Sequence, residues 1–186
     1  MMERVLSYAK SLAKEIVDKG DLVVDATCGN GHDTKFLAEL TGESGNVLSF
    51  DIQKAAIDKA GGLCKDMNNI EFIQDSHAHI DEYLYKDSKI KAAMFNLGYL
   101  PKGDKSITTE PAETIECISK LFDHMVQGGR IIIVVYHGHP AGKIEKEELN
   151  KFLSGWSQKS AQILEYRFIN QMSSAPFTLC IEKMIE

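Results

Sequence analysis

The chain alternates between segments with helical apolar spacing and short runs that are apolar throughout. Val5, Ala9 and Leu12 belong to the first pattern and predict an opening amphipathic helix, which Gly20 ends. The same reading predicts further helices over residues 32–40, 54–67, 79–84, 112–126 and 145–156. The apolar runs predict strands over residues 21–26, 46–52, 69–75, 90–96, 128–138, 161–169 and 176–184.

The order of these elements predicts an α/β protein. The isoleucine and valine run at 131–135 is typical of a strand covered on both faces, as in the middle of a parallel sheet. The last two strands are joined by a short connection and therefore pair antiparallel, because parallel neighbours need a long crossover. We expect one domain, residues 1–186, with a Rossmann-like, doubly wound sheet of seven strands whose last strand is antiparallel.

Composition narrows the class of protein. A net charge of −6 argues against broad, charge-driven binding to nucleic acid, although it leaves room for a local basic patch. No apolar run is long enough to span a bilayer, and the charged first twenty residues do not resemble a signal peptide. The four cysteines are scattered, so we expect reduced thiols in a cytoplasmic protein.

Four polar residues each close one of the predicted strands. They are Asp25, Asp51, Asp75 and Asn96, which end the first four strands in turn. In open α/β sheets, ligands bind beyond the carboxyl ends of the strands, near the point where the strand order reverses. The sequence therefore predicts that these four residues converge at one edge of the sheet.

The loop after the first strand contains two glycines. Gly29 and Gly31 allow a sharp turn and a close approach to a ligand, and the helix that follows aims its N-terminal amides into the loop. Two glycines alone favour a tight strand-to-helix turn without a ligand. Asp51 changes this interpretation, because a carboxylate at the end of the second strand is placed to accept hydrogen bonds from both hydroxyls of a ribose. Together these features favour an adenosine-containing ligand.

The details of the loop favour S-adenosylmethionine over a dinucleotide. In the pattern G-x-G-x-x-G, Thr34 stands where the third glycine belongs, although that glycine allows close helix packing beside a pyrophosphate. Asp25 would repel a pyrophosphate but suits a ligand with an amino group. S-adenosylmethionine carries a sulfonium, an ammonium and a carboxylate, and it therefore fits better.

Four motifs together resemble one small family of Rossmann-fold, S-adenosylmethionine-dependent methyltransferases, long labelled rRNA methylases. They are D-A-T-C-G-N-G-H-D-T at 25–34, D-S-H at 75–77, F-N-L-G-Y-L-P at 95–101 and Y-H-G-H-P at 136–140. The resemblance spans nearly the whole chain. It implies N-methylation of the 5-aminomethyl group of wobble (2-thio)uridine in tRNA, giving the 5-methylaminomethyl form, with the anticodon stem-loop as partner and a homodimer as assembly.

The resemblance also implies roles for individual residues. Asp51 would hold the ribose, and Asn96 would lie below the transferring methyl. The residues implied around the adenine are Ile52, Gln53, Asp75 and Ser76. The full set implied for the cofactor is Asp25, Thr27, Gly29, Asn30, Gly31, Asp33, Thr34, Asp51, Ile52, Gln53, Asp75, Ser76, His77 and Asn96.

The segment Asn96-Leu-Gly-Tyr99 stands where amino-methylating enzymes often carry Asn-Pro-Pro-Tyr. In those enzymes the asparagine side chain accepts a hydrogen bond from the target nitrogen, and Tyr99 would stack on the base. An alkyl amine attacks only when neutral, so a general base is useful. Among the histidines we favour His137 and His139 as catalytic residues, while the alternative of plain loop residues stays open for each.

Other interpretations remain open at this point. The segment HAHID, residues 77–81, matches the H-x-H-x-D order of some dinuclear metallohydrolases, although a metal site would leave the glycine loop and Asp51 without a role. A methyltransferase acting on rRNA or a small amine, or a module that only binds the cofactor, is also compatible. The RNA-binding candidates are Lys102, Lys105, Lys143, Lys146, Lys151 and Arg167 in the sixth strand, although an ordinary charged surface would look the same.

Overall fold

The structure is a computed structural model that describes residues 1–98, 109–171 and 175–184. The helices are Val5–Lys14 (α1), His32–Thr41 (α2), Lys54–Leu63 (α3), Pro111–His124 (α4) and Pro140–Ser154 (α5), with a 3-10 helix at His77–Tyr83. The strands are Leu22–Asp25 (β1), Asn46–Phe50 (β2), Ile70–Ile73 (β3), Ile90–Leu97 (β4), Met125–Val135 (β5), Ala161–Tyr166 (β6) and Phe177–Lys183 (β7).

The seven strands form one sheet in the order β3-β2-β1-β4-β5-β7-β6. Neighbours among the first five strands pair parallel, whereas β7 runs antiparallel to both β5 and β6. This confirms the predicted fold class, including the antiparallel last strand. The strand order reverses between β1 and β4, and a ligand crevice is expected at the carboxyl ends of these two strands.

Helices cover both faces of the sheet. α1 and α2 pack on one face, whereas α4, α5 and the 3-10 helix pack on the other. β5 shows how its sequence serves both layers: Ile131, Ile133 and Val135 belong to one core cluster, and Ile132 and Val134 to the other. The uninterrupted apolar run is thus explained by burial on both faces, as predicted. No helix in the described parts of the chain is long and apolar enough to cross a membrane.

The first helix ends earlier than predicted. α1 stops at Lys14, and Gly20 lies six residues beyond it in a separate turn with φ of +96°. Val17 turns inward and is buried, so the chain leaves the helix in order to pack against the sheet. The N–H of Gly20 donates to the carbonyl oxygen of Thr41, 2.9 Å away, at the end of α2. The glycine is therefore used at a different helix end.

Two strand boundaries also differ from the prediction. β5 begins at Met125, which pairs with Ile90 before a register shift brings Arg130 opposite Ala92, and Gly128 within the shift has φ of +71°. β6 ends at Tyr166, so Arg167 lies just beyond the strand and not within it. A register irregularity and the end of an edge strand are decided by the partner strand, which the local pattern does not show.

Candidate active site

A cavity of about 1050 Å³ opens at the carboxyl ends of the central strands. Asp51, Asp75 and Asn96 line it, and Asp25 ends β1 at the same edge of the sheet, which confirms the predicted convergence. The side chain of Asp25 is fully buried behind the wall. Of the other predicted residues, the wall includes Thr27, Gly29, Asn30, Asp33, Ile52, Gln53, Ser76, His77 and His139, but neither Gly31, Thr34 nor His137.

The carboxylate of Asp51 holds the glycine loop in place. Its Oδ2 accepts a hydrogen bond from the N–H of Gly29 at 2.9 Å, and its Oδ1 accepts one from the N–H of Gln53 at 2.9 Å. Gly29 has φ of +53°, a left-handed conformation that glycine adopts without strain. A carboxylate oxygen accepts more than one hydrogen bond, so Asp51 still has acceptor capacity for the hydroxyls of a ribose.

Asp25 and Thr34 brace the loop from behind the cavity wall. Asp25 accepts hydrogen bonds from the N–H of Thr27 at 3.2 Å and from the hydroxyl of Thr34 at 2.6 Å. Burial, and then the nearby charge of Asp33, raises the pKa of Asp25 to about 7. Asp25 and Thr34 are thus buried and brace the loop that the resemblance assigned to the cofactor.

Gly31 serves the packing of two helices. A Cβ on this residue would lie 2.7 Å from the Cβ of Ala60 in α3, and its φ of +81° also favours glycine. The sequence predicted that Gly31 lets a ligand approach the loop, but the neighbour of Gly31 is the helix α3. The glycine is required here by the close contact between the loop and α3.

Asp75 lines the cavity and makes several hydrogen bonds with neighbouring side chains. Its Oδ1 is 2.9 Å from Nδ1 of His79, and its Oδ2 accepts from the hydroxyl of Tyr83 at 2.9 Å. These hydrogen bonds, with that of His79 the largest cause, lower the pKa of Asp75. Ser76 beside it donates its hydroxyl to Glu113 of α4 at 2.8 Å. Sequence reasoning missed Tyr83 and Glu113, because neither belongs to a motif at a strand end.

His77 presents an unused acceptor. Its Nδ1 lies 3.0 Å from the carbonyl oxygen of Ala26, and a carbonyl only accepts, so Nδ1 carries the proton. Burial lowers the pKa of His77, which keeps the ring neutral, and Nε2 is then an acceptor. That Nε2 is buried and has no hydrogen-bond partner among the described residues. An acceptor of this kind in the wall fits a ligand with an amino donor, such as an adenine.

Asn96 is fixed at both its main chain and its side chain. Its N–H donates to Oγ1 of Thr27 at 2.7 Å, which ties the end of β4 to the glycine loop. Its Nδ2 donates to Oδ2 of Asp33. The other oxygen of Asp33 forms an ion pair with Nζ of Lys10 at 3.0 Å. Tyr136 lines the same end of the cavity, and neither Tyr136 nor Lys10 had been given a role from the sequence. Tyr99 lies outside the described residues.

The two candidate histidines take different positions. Nε2 of His137 lies 2.9 Å from the carbonyl oxygen of Ala175, and His137 is not part of the cavity wall. His139 lines the cavity and caps α5, where its Nδ1 accepts from the N–H of Gly142 at 3.1 Å. Only His139 of this pair is brought to the site.

The HAHID segment does not gather its side chains. His77 is buried against β1, whereas His79 is 53% exposed and bound to Asp75. Within residues 1–98, 109–171 and 175–184, no group of three or more histidine, cysteine, aspartate or glutamate side chains is placed to hold a metal ion.

A buried glutamate supports the end of β4 without lining the cavity. Glu145 of α5 accepts hydrogen bonds from the hydroxyls of Thr109 at 2.8 Å and Thr114 at 3.1 Å, and burial raises its pKa. The hydroxyl of Thr109 also accepts from the N–H of Gly98 at 3.2 Å. Glu145 thereby anchors the residue next to Leu97 at the end of β4. The sequence offered no signal for it, because an acidic residue on a helix is usually exposed.

The position of β7 between β5 and β6, with an acidic residue after β2 and a neutral amide in β4 at the cavity, defines a Rossmann-fold methyltransferase. S-adenosylmethionine is its cofactor, and Asp51 and the acceptor of His77 fit the ribose and the adenine. The chain belongs to the family described as "Putative rRNA methylase", whose pattern matches residues 47–182.

Several known proteins are similar to this chain. A structure from Clostridium thermocellum, also titled an rRNA-methylase, is 44% identical, covers 99% of this chain and 100% of its own, and has a TM-score of 0.95. A Streptococcus mutans methyltransferase solved in complex with SAH is 34% identical, with coverage of 99% and 100% and a TM-score of 0.90.

A curated relative comes from Arabidopsis thaliana and is named "tRNA (mnm(5)s(2)U34)-methyltransferase, chloroplastic". It is 32% identical over 180 residues, which are 91% of this chain. The match spans 66% of the length of that relative, so this chain corresponds to about two thirds of it.

Proposed function

We propose that this chain transfers a methyl group to the amino nitrogen of a 5-aminomethyl group on wobble (2-thio)uridine of tRNA. The observation that carries the proposal is the position of the Asn96 carboxamide, whose Nδ2 donates to Asp33. It lies at the end of the cavity that Lys10, Asp33 and Tyr136 also line, which we call the acceptor end. The name of the Arabidopsis relative supports the choice of substrate. The product is the 5-methylaminomethyl nucleoside.

The chemistry follows from the hydrogen-bonding capacity of the carboxamide. Because Nδ2 donates to Asp33, Oδ1 of Asn96 is the acceptor for an N–H of the target amine, whose lone pair is then directed at the methyl carbon. The bound cofactor supplies the methyl: the nitrogen lone pair forms the new C–N bond, while the C–S bond electrons pass to sulfur. The product ammonium then loses one proton to solvent.

The hydrogen bond that His139 makes argues against a role as the general base. The N–H of Gly142 donates to its Nδ1, so a neutral ring carries its proton on Nε2. That Nε2 lies near Gly98, 4.0 Å from the position of a Cβ on the glycine. We therefore propose that the amine enters in its neutral form and that His139 is not its general base. His137, bonded to Ala175, takes no part in this step.

The proposal also includes a surface for tRNA and a second copy of the chain. Lys143 and Lys151 are exposed on α5, the helix that His139 caps, and would meet phosphates of the anticodon stem-loop. The side chain of Arg167 is 56% exposed, but its Nε forms an ion pair with Oε1 of Glu165, 2.7 Å away. Lys102 and Lys105 lie outside the described residues. A homodimer in the cytoplasm completes the proposal, and the exposed Leu164 on the edge strand β6 offers apolar surface for it.

The proposal is tested by nucleoside analysis. The protein is incubated with labelled S-adenosylmethionine and tRNA that lacks the final wobble methyl, and the digested nucleosides are identified by mass spectrometry. We expect label in 5-methylaminomethyl-2-thiouridine, and labelling that is at least about 100-fold slower with Asn96→Ala. Parallel reactions with rRNA and with small primary amines test the alternatives, and label in these alone would refute the tRNA proposal while leaving a methyltransferase.

A further inference from the structure

Three side chains from distant parts of the sequence form a continuous chain of contacts at the acceptor end. Nζ of Lys10 in α1 lies 3.0 Å from Oδ1 of Asp33 in α2, and Oδ2 of Asp33 accepts from Nδ2 of Asn96 in β4. All three residues line the cavity. Lys10 is held further by its position over the ring of Phe36, 5.0 Å from the centroid.

The chain of contacts fixes which way the Asn96 carboxamide faces. An ionised carboxylate only accepts hydrogen bonds, so the amide must turn its NH₂ group towards Asp33 and its oxygen away from it. The main chain of Asn96 is already held by the hydroxyl of Thr27. A residue held at both points keeps one orientation, and catalysis by orientation depends on this.

We infer that Lys10 and Asp33 are positioning residues that set the orientation of Asn96 for the amine, and that α1 is therefore part of the acceptor site. The inference rests on the proposed function. Asp33 is only 18% exposed and Lys10 is 39% exposed, so Asp33 is the stronger member of the pair and Lys10 the weaker. The resemblance assigned Asp33 to the cofactor, and nothing assigned a role to Lys10.

The substitutions follow from these contacts. Asp33→Asn keeps the shape of the side chain. Because Lys10 binds the amide oxygen of the new side chain, its NH₂ group faces Asn96 and donates to Oδ1, which turns the carboxamide around. We expect it to lower the single-turnover rate at saturating cofactor by about 100-fold. Lys10→Met removes the charge from a half-exposed ion pair, and we expect a loss of about fivefold. Lys10→Arg restores the charge and should recover the rate to within about twofold. Lys14→Met, at an exposed position of the same helix, is the matched control.

Two measurements separate positioning from a loss of folding or of cofactor binding. The affinity for S-adenosylhomocysteine, measured by calorimetry, should stay within about twofold of wild type in Lys10→Met and Lys14→Met. The ¹⁵N–¹H signal of the Asn96 carboxamide, assigned by its absence in Asn96→Ala, should move in Asp33→Asn and Lys10→Met and stay in place in Lys14→Met.

The outcomes distinguish the inference from the proposed function. If wild type methylates tRNA and Asp33→Asn does so at the wild-type rate, the inference is wrong and the proposed function stands. If wild type leaves the tRNA amine unmethylated, the proposed function fails, and the carboxamide signal alone decides whether Lys10 and Asp33 orient Asn96. An unchanged signal in both variants would overturn the inference in either case.

Discussion

The cofactor end of the cavity is held by main-chain hydrogen bonds, whereas the acceptor end is held by side chains. At the cofactor end, the N–H groups of Gly29 and Gln53 bind one carboxylate, Asp51. At the acceptor end, Asn96 depends on Thr27, Asp33 and, through it, Lys10. The first arrangement lies within residues 29–53, and the second joins residues that are up to 86 positions apart.

The difference explains how one fold can keep its cofactor and change its acceptor. A loop fixed through backbone amides constrains few side chains, so its geometry is shared wherever the strand and the acid are kept. A site assembled from three elements depends on the identity of each contributing side chain. We expect substitutions at the cofactor end to change binding, and those at the acceptor end to change the rate of transfer.

The largest effect is expected at Asn96. Asn96→Ala removes the acceptor for the target nitrogen, and losing one such preorganised group costs about 100- to 1000-fold in turnover. The rate constant at saturating tRNA and cofactor is the measurement. Affinity for S-adenosylhomocysteine should change by no more than about twofold, because Asn96 binds Asp33 and not the ribose. Turnover at the wild-type rate would remove Asn96 from the mechanism.

The cofactor end is tested by Asp51→Ala. This substitution removes the acceptor for the N–H of Gly29 and for the ribose hydroxyls. A hydrogen bond to a charged group contributes about 1.5–3 kcal/mol. We expect the affinity for S-adenosylmethionine to fall by about 100-fold in calorimetry. Asp58→Ala, at an exposed position of α3, serves as the control. Unchanged affinity in Asp51→Ala would show that the ribose site is elsewhere.

A smaller effect is expected at the contact between the loop and α3. Gly31→Ala places a Cβ 2.7 Å from that of Ala60 and strains a positive φ, which should cost about 1–3 kcal/mol of unfolding free energy. Gly61→Ala on the same helix meets no atom within 4 Å and should instead stabilise by about 0.5–1 kcal/mol. Urea denaturation measures both. Equal stability of the two variants would contradict the packing role of Gly31.

The pH dependence of stability should report Asp25. Burial raises its pKa to about 7 from the ordinary 3.8, so its contribution is fully present below about pH 4 and is lost as the pH rises to about 7. Asp25→Asn does not titrate. As the pH rises from about 4 to about 7, the unfolding free energy of wild type should fall relative to that of the variant by at most about 1.4 kcal/mol per pH unit. Parallel curves for the two proteins would show that the folded and unfolded pKa values of Asp25 are alike.

Much of the cofactor end could be predicted from the sequence. The apolar runs predicted the strands, and the polar residues that close them, Asp51 and Asp75, were correctly expected at one edge. Local patterns suffice here because parallel strands bring their ends together by topology. Asp25 also lies at this edge, as expected, but the sequence did not show that its side chain would be buried behind the cavity wall.

The acceptor end was largely invisible in the sequence. Lys10 lies in an ordinary amphipathic helix, and Glu145 resembles any exposed glutamate of α5. Their roles depend on contacts with residues distant in the sequence, Asp33 and Thr109, that no periodicity encodes. His137 and His139 looked equivalent, and only the path of the chain after β5 separates them.

The division between the two ends is tested most directly by single-turnover methyl transfer to hypomodified tRNA as the cofactor concentration is raised. We predict that Asp51→Ala is rescued to within about fivefold of wild type once the cofactor saturates it, because only binding was lost. Asn96→Ala should stay about 100-fold slower at every concentration, because its defect lies in transfer. Rescue of Asn96→Ala by the cofactor, or a slow Asp51→Ala at saturation, would contradict the account.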